Sequence, residues 1–308
     1  MPTINWQGVF PAATTQFKDD ESLDIEATQR SLDNLIRDGV HGLIILGTCG
    51  ENNSLRSEEK QAVMTAAIEV AAGRVPVLSG VSEFTTKSAC EYAGYAQKAG
   101  LDGLMVLPAM SYAANRREVL THFQTVAAST ELPIMVYNNP VTYKIDVTID
   151  MMRELGQIPN IVAIKESTED TRRITDLYNE FGDHFTVFCG VDDIALESLM
   201  LGTTGWISGL TSAFPKESVA LYELAKQGRY QEALEIYRWF MPLLHLDTIP
   251  TLVQCIKLCE QICARGSEMV RAPRLTLTGE ERAHVIRVTE RALANRPDLS
   301  GVMAEVIR

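Results

Sequence analysis

The stretch Asn160-Ile161-Val162-Ala163-Ile164-Lys165-Glu166-Ser167 decides how this chain folds. Its four consecutive apolar residues lack polar alternation, the pattern of a parallel strand covered on both faces, and the run ends on a lysine. Desolvating an ammonium is costly unless the charge is paired or neutralised. Three readings of Lys165 follow. It is held by a counter-charge, or its stem packs at the strand's mouth while its head reaches water or Glu166, or it is kept as a free amine for imine chemistry.

Seven further runs of the same kind flank this one: Gly8-Val9-Phe10-Pro11-Ala12, Gly42-Leu43-Ile44-Ile45-Leu46, Val75-Pro76-Val77-Leu78, Gly103-Leu104-Met105-Val106-Leu107, Pro133-Ile134-Met135-Val136-Tyr137, Phe185-Thr186-Val187-Phe188-Cys189 and Gly205-Trp206-Ile207-Ser208. Between them lie helical patterns over 24–37, 57–72, 85–98, 116–129, 171–180, 194–200 and 217–226. Ser57, ahead of Glu58 and Glu59, reads as a helix cap. The runs recur at intervals of roughly 20 to 35 residues, the length of a βα unit. Eight of them suit a closed (β/α)8 TIM barrel, an α/β fold, better than an open doubly wound sheet. After Gly228 only helical patterns remain, over 229–240, 251–265 and 280–295. The last starts at Thr278-Gly279-Glu280-Glu281, a capping-box spacing, and stops before Pro297. The chain therefore divides into a barrel over 1–227 and a C-terminal helical extension over 228–308, expected to pack on the barrel because no Pro/Ser-rich linker separates them.

With 308 residues, 46% of them hydrophobic, the chain buries a large core. A net charge of −12 and the absence of any Lys/Arg run argue against nucleic acid as a partner. No segment approaches ~18 uninterrupted apolar residues, and the start has neither a basic nor an apolar leader region, so a cytoplasmic protein without a membrane partner is expected. Six cysteines without Cys-x-x-Cys fit reduced thiols, and Cys255, Cys259 and Cys263 fall on one helical face, a core pattern. The five histidines precede strands or sit in helices instead of closing strands together, so no metal site is expected. No phosphate loop or nucleophile elbow is present, and no cofactor is expected.

In a barrel of this type the active site lies at the C-terminal ends of the strands. There the second run continues as Gly47-Thr48-Cys49-Gly50-Glu51-Asn52, the fifth as Tyr137-Asn138-Asn139-Pro140, the sixth as Lys165-Glu166-Ser167 and the seventh as Gly190-Val191-Asp192-Asp193. The glycine turn offers backbone N–H groups and a hydroxyl that suit a carboxylate, or it is simply a turn. Tyr137, on the strand beside Lys165, is placed to move a proton to or from a lysine-bound intermediate, or packs as a barrel tyrosine.

Taken together, these motifs resemble the dihydrodipicolinate synthase / N-acetylneuraminate lyase family of class I Schiff-base barrels, and the resemblance covers nearly the whole chain. It implies that Lys165 forms an imine with a 2-oxo acid, that Tyr137 shuttles protons and that Thr48 with neighbouring amides grips the carboxylate. Cys49, Gly50 and Ile207 complete the implied substrate site. A homotetramer built as a dimer of dimers is also implied, with Tyr112 the candidate for a tyrosine contributed across the tight dimer interface.

Two positions depart from the synthase. Thr142 stands where the synthase has an arginine for its second substrate's carboxylate, and Cys49 where it has a second threonine of a proton relay. Asn139-Pro140-Val141-Thr142-Tyr143 and Trp239-Phe240-Met241-Pro242-Leu243-Leu244-His245-Leu246-Asp247 are similar instead to the branch containing 1-pyrroline-4-hydroxy-2-carboxylate deaminase and 2-keto-3-deoxy-L-arabonate dehydratase. That branch implies elimination of a C4 hydroxyl from a 2-oxo acid or cyclic imine. The deaminase, giving 2-oxoglutarate semialdehyde, is the leading expectation. The dehydratase, 4-hydroxy-tetrahydrodipicolinate synthase and a 2-oxo-acid aldolase are the alternatives. A pyridoxal-phosphate barrel and a non-catalytic 2-oxo-acid sensor are the readings outside the family.

Overall fold

The computed structural model describes residues 4–109 and 111–306. Its eight strands are β1 (Gly8–Pro11), β2 (Leu43–Ile45), β3 (Val77–Val81), β4 (Gly103–Val106), β5 (Ile134–Asn138), β6 (Ile161–Glu166), β7 (Thr186–Cys189) and β8 (Gly205–Ser208). All pair in parallel in the order β1-β8-β7-β6-β5-β4-β3-β2, and a parallel bridge between Ala12 and Ile44 brings β1 against β2. The eight apolar runs thus form a TIM barrel, and nearly every strand residue is buried, as continuous apolar runs require.

Around the barrel run α1 (Ile25–Arg37), α2 (Ser57–Ala71), α3 (Thr86–Ala99), α4 (Arg116–Ala128), α5 (Pro140–Tyr143), α6 (Ile149–Leu155), α7 (Arg172–Phe181), α8 (Ala195–Met200) and α9 (Pro215–Lys226). Their ends follow local chemistry. The Asp24 carboxylate accepts the Ala27 N–H at 2.9 Å to open α1, and Thr85 accepts the Ser88 N–H at 3.1 Å to open α3. Ser57 does not cap α2: it is the first helical residue, and the Glu59 carboxylate instead accepts the N–H of the capping residue Arg56 at 2.8 Å. The short helices α5 and α6 leave no mark in the sequence, because four and seven residues are too few to show a helical period. Asn139 caps α5 by accepting the Thr142 N–H at 2.9 Å, with Pro140 in the first turn where its missing N–H costs nothing.

The C-terminal extension contains α10 (Tyr230–Leu244), α11 (Leu252–Ile262), α12 (Gly279–Ala294) and α13 (Ser300–Val306). Thr278 precedes α12 without a side-chain cap bond, and Glu281 is engaged elsewhere, accepting the Thr251 hydroxyl at 2.6 Å. The cysteine face of α11 is core at Cys255 and Cys259, while Cys263 is partly exposed at the helix end. Among the described residues no helix is long and apolar enough to cross a membrane.

A buried ion pair ties the extension to the barrel. Glu51, in the turn after β2 at φ 52°, meets Lys257 of α11 at 3.0 Å, and both side chains are fully buried. Lys257 also donates to the Thr15 carbonyl at 2.8 Å, and the second Glu51 oxygen accepts the Arg271 N–H at 3.0 Å. Glu51, which belongs to the quoted turn motif, is therefore a structural anchor. Glu51→Gln leaves the Lys257 ammonium uncompensated and should cost about 3–5 kcal/mol of stability. A urea titration reads this as a lower midpoint, and an unchanged midpoint contradicts the role.

Candidate active site

Lys165 and Tyr137 are direct neighbours across the β5–β6 pair. Lys165 Nζ lies 4.1 Å from the centre of the Tyr137 ring, and both side chains are buried. The contact is a cation–π seat for the ammonium and a π-face for the neutral amine. Glu166 is not the partner of Lys165. Alternation along β6 sends it to the outer face, where it accepts from Asn138 Nδ2 at 3.1 Å and from the Thr168 N–H at 2.8 Å. Among the described residues Lys165 forms no ion pair.

Gly190, closing β7, makes the space for this lysine. A Cβ there would fall 2.1 Å from Ser167 Oγ and 2.6 Å from Lys165 Cε. The glycine serves clearance instead of an unusual backbone angle.

The turn after β2 folds back on itself, with the Gly47 and Thr48 carbonyls accepting the Asn52 and Glu51 N–H groups at 3.3 and 3.1 Å. Thr48 Oγ1 hydrogen-bonds the hydroxyl of Tyr143, whose ring meets Tyr137 edge-on at 5.8 Å. Tyr143, on α5, carries no sequence signal of a role. It stands beside Thr48 and Tyr137, and Asn139 Nδ2 donates to the Tyr137 hydroxyl at 3.1 Å. Burial raises both phenols above the usual tyrosine range, so each is a neutral hydroxyl.

Cys49 and Ile207 line the same cavity as Lys165, and burial raises the Cys49 thiol well above its usual value, which makes it an uncharged wall. Gly50 does not line it. A Cβ there would fall 2.7 Å from the Leu46 backbone nitrogen, and the Gly50 carbonyl accepts the Thr15 hydroxyl at 2.7 Å, so its small size serves turn packing. Tyr112 also stands apart. It is 62% exposed and borders a different hollow beside Phe84.

The cavity above Lys165 has a volume of about 510 Å³, enough for a small acid. Asp247 and Arg274, contributed by the C-terminal extension, line it together with Thr142. Neither charged residue carries a sequence signal of its own, although Asp247 ends the Trp239–Asp247 stretch. Asp192, in the turn after β7, is fully buried, its Oδ1 accepting from Trp206 Nε1 at 3.0 Å and its Oδ2 from Ser208 Oγ at 3.0 Å and the Leu210 N–H at 3.2 Å.

A family profile for the Dihydrodipicolinate synthetase family matches residues 5–292. This chain belongs to that family. It is thus an enzyme, a lyase. The 4-hydroxy-tetrahydrodipicolinate synthase of Methanothrix thermoacetophila is 30% identical over 299 residues, covering 97% of this chain and 99% of that relative. The crystal structure of dihydrodipicolinate synthase from Aquifex aeolicus superposes with a TM-score of 0.88 at 29% identity, covering 93% of this chain and 98% of that one. YagE, a prophage protein of the dihydrodipicolinic acid synthase family from E. coli K12 in complex with pyruvate, gives a TM-score of 0.88 at 29% identity, over 94% of this chain and 99% of that one.

In this member of the family, Gly190→Ala should displace the Lys165 side chain without unfolding the barrel, since the crowded atoms belong to side chains. Misplacing a reacting group by about 1 Å costs on the order of 10²-fold. The rate of reaction of the variant's amine with pyruvate, read beside a thermal melt, checks this. A wild-type rate at unchanged stability would show that Gly190 does not seat the lysine.

Proposed function

We propose that this enzyme eliminates water from a 4-hydroxylated C5 substrate through an imine on Lys165, with 1-pyrroline-4-hydroxy-2-carboxylate as the preferred substrate. The buried amine over Tyr137, at the floor of a cavity sized for a small acid, is the observation that carries this reading. As an iminium, the adduct withdraws electrons and acidifies the C3 hydrogen; the resulting enamine expels the hydroxyl from C4. With the pyrroline, ring opening and hydrolysis also release ammonia, giving 2-oxoglutarate semialdehyde. Thr48 with the turn amides holds the substrate carboxylate, Tyr137 exchanges protons at the imine and enamine, and Ile207 and Cys49 are apolar walls.

Thr142 separates this reading from synthase activity. It borders the cavity where the resemblance puts an arginine, and its N–H is tied to Asn139. A hydroxyl cannot replace the bidentate guanidinium–carboxylate contact. Neither elimination substrate carries a second carboxylate. The second reading, 4-hydroxy-tetrahydrodipicolinate synthase, is favoured by one observation: Arg274 also borders the cavity, 3.9 Å from Glu51, and is a cation within reach of a second carboxylate.

For the assembly we propose a homotetramer, in which the exposed Tyr112 and Phe84 face a second copy. Because Tyr143 already hydrogen-bonds Thr48 within one chain, the hydroxyl pair is complete without a partner's tyrosine.

Comparing kcat/KM for the hydroxypyrroline, for 2-keto-3-deoxy-L-arabonate and for pyruvate with aspartate semialdehyde on one preparation tests the reading. Losing the arginine contact should weaken the last by a few kcal/mol, tenfold for every ~1.4 kcal/mol. Efficient condensation, with no 2-oxoglutarate semialdehyde from the other two substrates, overturns it.

A further inference from the structure

Any enzyme that expels hydroxide from carbon must supply a proton to it, and any enzyme that cleaves the C3–C4 bond instead must remove one from the same C4 hydroxyl. The two outcomes demand opposite protonation states of the group beside C4. Lys165 and Tyr137 serve both reactions alike, so a third group decides between them.

We infer that Asp247, carried into the cavity by the C-terminal extension, is the acid that protonates the departing C4 hydroxyl. This rests on the elimination reading above and names the group that makes it possible.

Asp247 borders the same cavity as Lys165, and its Oδ1 is buried without a hydrogen-bond donor. Asp247 ends a short turn, His245–Asp247, that packs against the Asp192–Ile194 turn, where His245 Nδ1 lies 3.0 Å from Asp193 Oδ2. Two buried, neighbouring carboxyls cannot both ionise cheaply, so they share a proton. The partners of each decide which keeps it. Asp192 accepts three hydrogen bonds, from Trp206, Ser208 and the Leu210 N–H, an arrangement that suits the anion. Asp247 has no such donors at Oδ1 and retains the proton. The charges agree with this division: burial lifts Asp192 to about 6, while burial and then the Asp192 charge lift Asp247 well above the carboxylate range. Asp193 pushes Asp247 in the same direction, and Lys165 is the cation opposing the rise. A fixed positive iminium at Lys165 therefore strengthens this acid once the substrate is bound.

The step balances. The enamine pair forms the C3–C4 double bond while C2–N becomes the iminium, the C4–O bond breaks, and its electrons take the Asp247 proton to leave as water. Asp247 remains as the carboxylate and regains a proton from solvent before the next turnover.

Three measurements on the full-length wild type and on Asp247→Asn test the role: product formation from 2-keto-3-deoxy-L-arabonate, chloride release from the C5 analogue bearing chlorine in place of the C4 hydroxyl, and exchange of the pyruvate methyl protons for deuterium. Chloride leaves without protonation, and exchange needs only the imine and enamine. Asp247→Asn should lose water elimination by about 10²–10⁴-fold, as when an acid–base group is removed. It should release chloride and exchange methyl protons at wild-type rates. Water elimination at the wild-type rate by the variant overturns the assignment. So does an equal loss in all three measurements, which would mean that Asp247 only supports the fold. A wild type that eliminates nothing from the hydroxylated acid defeats the elimination reading itself, and the inference with it; that failure is seen in the wild-type measurement alone.

Discussion

One constraint shapes this barrel: an amine is buried on a strand against an aromatic face, with no ion pair among the described residues. Lys165 closes β6 against the face of Tyr137, with Glu166 turned to the other side of the strand by the pleat. The surroundings serve that placement. Gly190 opens the space, the Tyr137 ring supplies a π-face, and Cys49 and Ile207 add uncharged wall.

The C-terminal extension reaches the same cavity as the strands. Glu51 and Lys257 lock α11 to the turn that carries Thr48, with both charges out of solvent. The same extension brings Asp247 and Arg274 to the cavity rim. The turn that carries Thr48 and the extension that carries Asp247 are thereby fixed to one another through a pair whose rupture strands a buried charge.

The barrel was legible because parallel strands covered on both faces must be apolar throughout, and eight such runs at βα spacing leave few alternatives. Lys165 and Tyr137 were legible for the same reason: a polar group at the end of an apolar run has to be explained. Tyr143, Asp247 and Arg274 were not, because each reaches the cavity from outside the strands and through tertiary packing that leaves no local period. Tyr143 sits on a four-residue helix, too short to be read. Gly50 misled in the opposite sense, since a glycine at a strand end reads equally as an anion cradle or as a tight turn, and only the contact with Leu46 distinguishes them. Glu51 likewise reads as part of a site motif, and only its burial against Lys257 reveals an anchor.

The most direct test is chemical trapping. Wild-type enzyme incubated with pyruvate and borohydride should gain one covalent adduct per chain by intact mass, mapped by peptide analysis to Lys165 and absent from Lys165→Ala. An adduct on another lysine, or none with any 2-oxo acid, would contradict the imine on which the mechanism depends.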